Sequence, residues 1–258
     1  MQDAIYSAMF GAMSNEFRVN QIANNLANVN TTGYKQDNLA FHDTFLRFAH
    51  DYAVNVKTHL RGEDVFPKEH IMAKPRLADQ QVDFSQGNMS PTGNTLDLAI
   101  HGDGFFQVRT PEGDFLTRNG RFQISPEGQL VTEQGYQVLG EGGPIEIPGA
   151  GNLVIGQGGV IRQNQEEVGQ IGLYTVEDLG SLEKIGSNLF GSSDGEPNVI
   201  PAAEASINQG YLERSNVEVV TEMVKMIESQ RSHQAYMKIL KGTDRIDRRL
   251  ITRVGRVI

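Results

Sequence analysis

The sequence predicts an α+β fold, with a central antiparallel β domain flanked by N- and C-terminal helices that pair with each other. Three observations carry this. A seven-residue apolar repeat opens the chain, short alternating runs cut by glycine fill its middle, and near-helical apolar spacing closes it.

The first segment, residues 1–33, reads as one helix. Ile5, Ala12, Val19 and Leu26 recur every seven residues, with Ala8, Ile22 and Val29 three positions further on and Asn15 interrupting that second row. Such a heptad is the seam of a helix lying along another helix. Gly33 ends the segment, because glycine accepts the left-handed conformation past a helix terminus. Asn24, Asn25, Asn28 and Asn30 have two readings, a polar frayed face or a set of amide ladders to neighbouring helices that specify register.

Residues 34–80 carry only weak periodicity, with Pro67 and Pro75 opposing regular structure, and are expected to form an extended arm. Residues 81–206 are the expected β domain. Leu96, Leu98 and Ile100 alternate as in a half-buried strand. A short repeat then places Pro111-Glu112-Gly113 and Pro126-Glu127-Gly128 between paired runs. Proline presets the first turn dihedral and glycine the exit, so two successive hairpins are predicted. Further short runs fall at 136–139, 145–147, 153–155 and 168–176. Many short strands punctuated by turns give a sandwich-like or partly closed sheet.

Residues 207–258 are expected to supply the C-terminal helix, packed on residues 1–33. Ser215-Asn216-Val217-Glu218 fits a capping box. Val220, Val224, Ile227, Ala235, Ile239, Ile246, Leu250 and Val257 follow near-helical spacing. A helix of roughly 35–40 residues reaches about 50–60 Å.

Bulk composition narrows the function classes. The formal charge of −9 opposes nucleic-acid binding, which needs clustered cations. The basic cluster Lys241, Arg245, Arg248, Arg249, Arg253 and Arg256 reads as a solvated helix face or an acidic-partner contact. With no cysteine, disulfides, thiolate catalysis and cysteine-based zinc sites are excluded. The first residues lack the basic and apolar regions of a cleaved signal peptide. No stretch approaches the roughly 18 apolar residues of a membrane span, so no membrane insertion is expected.

The catalytic motifs are empty. Gly191-Ser192-Ser193-Asp194-Gly195 fits a nucleophile elbow in letters, but Glu196-Pro197 follows where a helix must start. Ser181-Leu-Glu-Lys184 fits S-x-x-K with as little context. Gly102 and Gly104 lack the third glycine of a phosphate cradle and read as a tight turn. The six histidines never take metal-ligand spacing. Asp97 and Asp103, as an acid/base pair, lose to turn capping. No catalytic residue, metal ligand or cofactor is expected.

What remains is assembly. Neither terminal helix has a neighbour in sequence to cover its apolar stripe, and a long helix is stable mainly through the face it buries. The stripes therefore pair with each other, with other subunits, or with both. The candidate interface comprises Ile5, Ala12, Val19, Ile22, Asn24, Asn25, Leu26, Asn28, Val29, Val220, Val224, Ile227 and Ile239. Against this stand a hydrolase using Ser193 and a surface-binding module displayed on terminal stalks.

Ala23-Asn-Asn-Leu-Ala-Asn-Val-Asn-Thr-Thr-Gly-Tyr34-Lys35 resembles the N-terminal signature of the flagellar rod and hook proteins. Gln209-Gly-Tyr-Leu-Glu-Arg-Ser-Asn-Val217, then Glu222-Met223, Met226-Ile227 and Gln230-Arg231, resembles their C-terminal signature. Gly102-Asp-Gly-Phe-Phe-Gln-Val108 and Thr117-Arg-Asn-Gly-Arg-Phe122 agree in between, so the resemblance spans the chain. Asp83-Phe-Ser-Gln-Gly87, Gly93-Asn-Thr-Leu-Asp-Leu-Ala-Ile100 and Leu139-Gly-Glu-Gly-Gly-Pro-Ile145 look most like the FlgF-like proximal-rod branch, with the FlgG-like distal-rod branch as the alternative. Ser232-His233 departs from the small-plus-aromatic pair usual there, and the basic tail is longer.

The resemblance implies a motility protein of the bacterial flagellum, a subunit of the basal-body rod that crosses the periplasm and transmits torque. It implies export by the flagellar type III apparatus without signal cleavage. Its termini would form the coiled-coil inner layer of a helical tube. Its partners would be copies of itself and FlgB-, FlgC-, FlgG- and FliE-type rod proteins.

Overall fold

The computed structural model describes residues 2–47, 71–149, 151–192 and 198–254. The chain divides into two units. One comprises Met1–Ala23, Leu39–Gln80 and Met223–Ile258; the other comprises Asn24–Asn38 and Gln81–Glu222.

The first unit holds most of helices α1 (Gln2–Ala27) and α2 (Val219–Val254). It also holds most of strands β1 (Gln36–Arg47) and β2 (Ile71–Asp83), which pair in a two-stranded sheet. Much of the stretch expected to be an arm is therefore strand, and Pro75 lies within β2. Proline is tolerated on an edge strand, and both strands of a two-stranded sheet are edges.

The second unit is the β body. In chain order its strands are β3 (Met89–Pro91), β4 (Leu98–His101), β5 (Phe105–Thr110), β6 (Gly113–Thr117), β7 (Phe122–Ile124), β8 (Leu130–Thr132), β9 (Gln137–Gly140) and β10 (Gly143–Pro144). These are followed by β11 (Leu153–Ile155), β12 (Val160–Gln163), β13 (Glu166–Gln170), β14 (Leu173–Val176), β15 (Leu182–Gly186), β16 (Leu189–Ser192), β17 (Val199–Pro201), β18 (Ser206–Gln209) and β19 (Tyr211–Glu213). The main sheet runs β15-β16-β6-β5-β9-β8-β7, with β14 also on β5, β17 on β14 and β10 on β9. Smaller sheets are β11-β12-β13, β18-β4 and β19-β3, and the recorded pairings in the body are antiparallel.

Both predicted hairpins form. β5 and β6 close at Thr110↔Gly113 around Pro111-Glu112, and β7 and β8 close from Ile124↔Leu130 around Pro126-Glu127-Gly128. Two further hairpins use two-residue turns with both residues at positive φ, Asn164-Gln165 (51°, 75°) and Ser187-Asn188 (50°, 58°). That left-handed pair matches the natural twist of flanking strands, and asparagine tolerates it best among residues with side chains.

Consecutive residues on β5 point to opposite faces, and both faces are buried. Phe106 joins the main core with Leu98, Val108, Phe122, Ile161 and Ile207. Phe105 joins a second core with Leu116, Val176, Leu182 and Phe190, where Phe84 sits edge-on to Phe105 at 5.6 Å and to Phe190 at 5.3 Å.

Several expectations need correction. The run 145–147 is a single bridge at Glu146 rather than a strand, and 168–176 is split in two at Ile171-Gly172. β4 is buried on both faces, since Ala99 between Leu98 and Ile100 is fully covered. α1 stops at Ala27, and turns fill the interval to Gly33. Residues 207–209 and 211–213 are strand on either side of a turn at Gly210, and α2 begins at Val219. The capping box does not form: Ser215 Oγ accepts from Val217 N at 3.2 Å, ahead of the helix.

Candidate assembly interface and its buried joint

The two terminal signatures meet inside the β body. Gly33 has φ +67° and its N–H donates to Glu213 O at 2.8 Å. A Cβ there would lie 2.5 Å from the Arg118 backbone carbon, so the position demands glycine on two counts. This close approach delivers Tyr34 and Lys35, each largely hidden from solvent, into the interior.

Lys35 Nζ donates to Glu213 Oε1 at 2.7 Å and to Ser85 O at 2.8 Å. Glu213 also accepts from Gly87 N at 2.9 Å and faces Arg118 Nη1 at 3.4 Å. The three charged side chains are 1–2% exposed. Arg118 donates through Nη2 to Gly102 O at 2.9 Å, and its guanidinium lies 5.0 Å from the Phe105 ring centroid. Burial pulls the Lys35 ammonium below its ordinary pKa, and the Glu213 carboxylate opposes that shift.

A second circuit joins the end of α1 to the start of α2. Asn25 Nδ2 donates to Asp37 O at 3.0 Å and to Glu222 Oε2 at 3.4 Å, while its Oδ1 accepts from Tyr34 OH at 3.0 Å and Asp37 N at 3.2 Å. Gln36 Nε2 donates to Glu222 Oε1 at 2.9 Å. Asn216 Oδ1 accepts from Gln36 N at 2.7 Å, and Asn216 Nδ2 donates to Asp83 O at 2.8 Å. From β15, Lys184 pairs with Asp37 at 2.8 Å and lies 4.0 Å from the centre of the Tyr34 ring. Asn188 Nδ2 donates to Thr32 O at 2.9 Å. Burial raises the Tyr34 phenol well above its usual range, with Asp37 adding to the shift.

The helices of the first unit each present two faces. On α1, Ala8 and Ala12 are buried and Ile5 and Val19 half-buried, which is the predicted heptad. Its small residues admit an aromatic from α2: a Cβ on Gly11 would lie 2.6 Å from the Tyr236 ring. His233 Nδ1 lies 3.1 Å from Ala12 O. The covered row of α2 is Met226, Ser229, His233, Tyr236 and Leu240, in alternating steps of three and four. The other faces are bare. Tyr6, Met9, Met13 and Phe17 are 39–51% exposed on α1, and Val220, Val224, Ile227 and Ile239 are 51–69% exposed on α2.

The predicted interface thus separates into parts. Ile22 is buried within the chain, Leu26 and Val29 are half-buried, and the four α2 residues face outward. Asn25 uses both ends of its amide internally, whereas Asn28 donates to Asn24 O at 2.9 Å on the surface. Tyr34, Lys35, Arg118, Lys184, Glu213 and Glu222 were not singled out as functional by sequence reasoning. The available signals were the position of five of them inside the quoted family segments and of Lys184 at the end of the S-x-x-K pattern.

Asp97 accepts from Asn94 Nδ2 at 3.0 Å, a turn cap, and Gly102 has φ +89°. Ser193 lies outside the described residues. Among the described residues, no group of three His, Asp or Glu side chains has metal-binding geometry, and no helix is long and apolar enough to cross a membrane.

Three family descriptions match the chain. Residues 5–35 match the flagella basal body rod protein family, residues 99–163 the flagellar hook protein FlgE/F/G D1 domain, and residues 208–253 the flagellar basal body rod FlgEFG protein C-terminal family. Asn25, Tyr34, Lys35, Arg118, Glu213 and Glu222 all fall within those segments. The flagellar basal-body rod protein FlgF of Caulobacter vibrioides is 37% identical, covering all of both chains. FlgF of Mesorhizobium japonicum is 33% identical over 94% of each chain. The rod protein FlgG of Buchnera aphidicola subsp. Schizaphis graminum is 32% identical over 97% of this chain and 99% of its own.

Proposed function

This chain belongs to the flagellar basal-body rod protein family, and on that premise we propose that it is an FlgF-like proximal-rod subunit whose terminal helices form the coiled-coil inner layer of a helical tube. Members of the family are structural rather than enzymatic. The observation that carries the proposal is the second apolar face on each helix. One intramolecular partner covers one face, so the bare rows call for neighbours. Burying each large aliphatic side chain is worth on the order of 1.5–3 kcal/mol, which makes repeated contacts along two long helices strong. Head-to-tail contacts of this heterologous kind build helical rather than closed symmetry.

The partners are copies of this chain and FlgB-, FlgC-, FlgG- and FliE-type rod proteins, reached through the type III apparatus without signal cleavage and assembled where the rod crosses the periplasm. A distal, FlgG-like position is the second reading, favoured by the near-complete coverage of FlgG relatives.

Electron microscopy of basal bodies from cells whose copy lacks residues 217–258 tests the proposal. The expected outcome is an incomplete rod with the truncated chain still exported. A normal rod would sink the axial assignment and bring forward a surface-binding module carried on stalks.

A further inference from the structure

We propose that the network of Asn25, Lys35, Arg118, Glu213 and Glu222 is a joint that closes within the single chain, holding the root of α1 and the root of α2 in one stagger before any neighbour is met. The geometry supports this in three ways. Every partner in the network belongs to one compact unit, which contains Asn24–Asn38 and Gln81–Glu222. The last turn of α1 contributes Asn25 and the first turn of α2 contributes Glu222, so both roots belong to the β body while the rest of each helix does not. The two groups at the helix roots are also buried and directionally satisfied: Asn25 is 1% exposed with both amide ends bonded, and Glu222 is 1% exposed with both oxygens engaged.

That chemistry selects one alignment. An apolar contact would tolerate a slide of one residue. A slide here would bury the Lys35, Arg118 and Glu213 charges without partners and strand the Asn25 amide, each a penalty of several-fold to many-fold in population. Buried polar groups that fix register at some cost in stability are known in helical pairings, and here they sit where two helices leave a β body. The consequence for assembly rests on the rod-subunit reading; closure of the joint in the free chain does not.

Amide hydrogen exchange on the dilute, full-length monomer tests the joint. Residues 24–38 and 206–222 are expected to exchange with the slow strands β5 and β9, at least about 100-fold slower than residues 5–20 and 230–245, as fits a closed unit beside helices with one face bare. Equal, fast exchange at the roots and at the distal helices would overturn the proposal. Glu222→Leu supplies the second arm. It removes the acceptor of Asn25 and Gln36 at the edge of the body, and should speed exchange at residues 24–38 by at least about 10-fold for the two hydrogen bonds lost, with β5 and β9 unchanged. Unchanged protection at residues 24–38 in that variant would show that Glu222 does not hold the joint. Because both exchange experiments use the monomer and the rod test uses assembled basal bodies, a failure here leaves the rod assignment standing, and a normal rod from the truncated chain would leave the joint standing.

Discussion

At the scale of single residues, the joint depends on positions whose importance is conformational or electrostatic rather than apolar. Gly33→Ala imposes a side chain at φ +67° and drives its Cβ into the Arg118 backbone, so thermal unfolding should report a loss of more than about 1 kcal/mol, beyond ordinary glycine-to-alanine strain. Lys35→Met leaves Glu213 with Arg118 and Gly87 N but without its shortest partner. Removing one member of a buried ion pair costs about 3–5 kcal/mol, and the surviving partners place this variant near the lower end in denaturant titration. Tyr34→Phe should cost about 1 kcal/mol at neutral pH for the lost hydroxyl bond. Its pH profile is more telling. The folded phenol holds its proton above the ordinary value of about 10, so its contribution is full below that pH and disappears as pH rises through the folded value. Lys35 and Lys184, lowered by burial, act in the opposite direction and make stability rise toward their ordinary range. The comparison of parent with Tyr34→Phe cancels the lysines: the gap between them should be constant to about pH 10 and narrow above it.

At the scale of elements, helix amphipathicity was readable and the pairing of faces was not. The heptad through Ile5, Ala12 and Val19 marks the covered side of α1 because a repeated apolar position can face only one way. On α2 the strongest apolar spacing, Val220, Val224, Ile227 and Ile239, marks the bare side. The covered side uses Ser229, His233 and Tyr236, whose fit depends on Gly11 and Ala12 across the gap, information that no single-segment pattern contains. Ile227→Asp should therefore block incorporation into basal bodies while leaving the β body folded by near-ultraviolet circular dichroism. Normal incorporation would remove the outer face from the interface. The start of α2 was misplaced for a related reason. Ser215-Asn216 has capping chemistry, yet Asn216 is committed to Gln36, Asp83 and Ser85, and the helix waits until Val219.

At the scale of the whole molecule, two compact units with different kinds of stabilisation share one chain. The β body has two apolar cores and a buried polar joint, whereas the helices leave large apolar side chains in water. Heating the monomer should melt much of the far-ultraviolet helical signal ahead of a separate, cooperative β transition; one coincident transition would contradict the division. Composition, periodicity and turn chemistry were enough to determine an α+β order, both Pro-Glu-Gly hairpins and two amphipathic termini, because each follows from residues close together in the chain. Tertiary structure alone decided that β1 and β2 pair, that Phe105 and Phe106 serve separate cores, and that Lys35 finds Glu213 across 178 positions. A charge reads as a surface residue until a distant segment supplies its counter-charge and excludes water, and that event is a property of the folded chain.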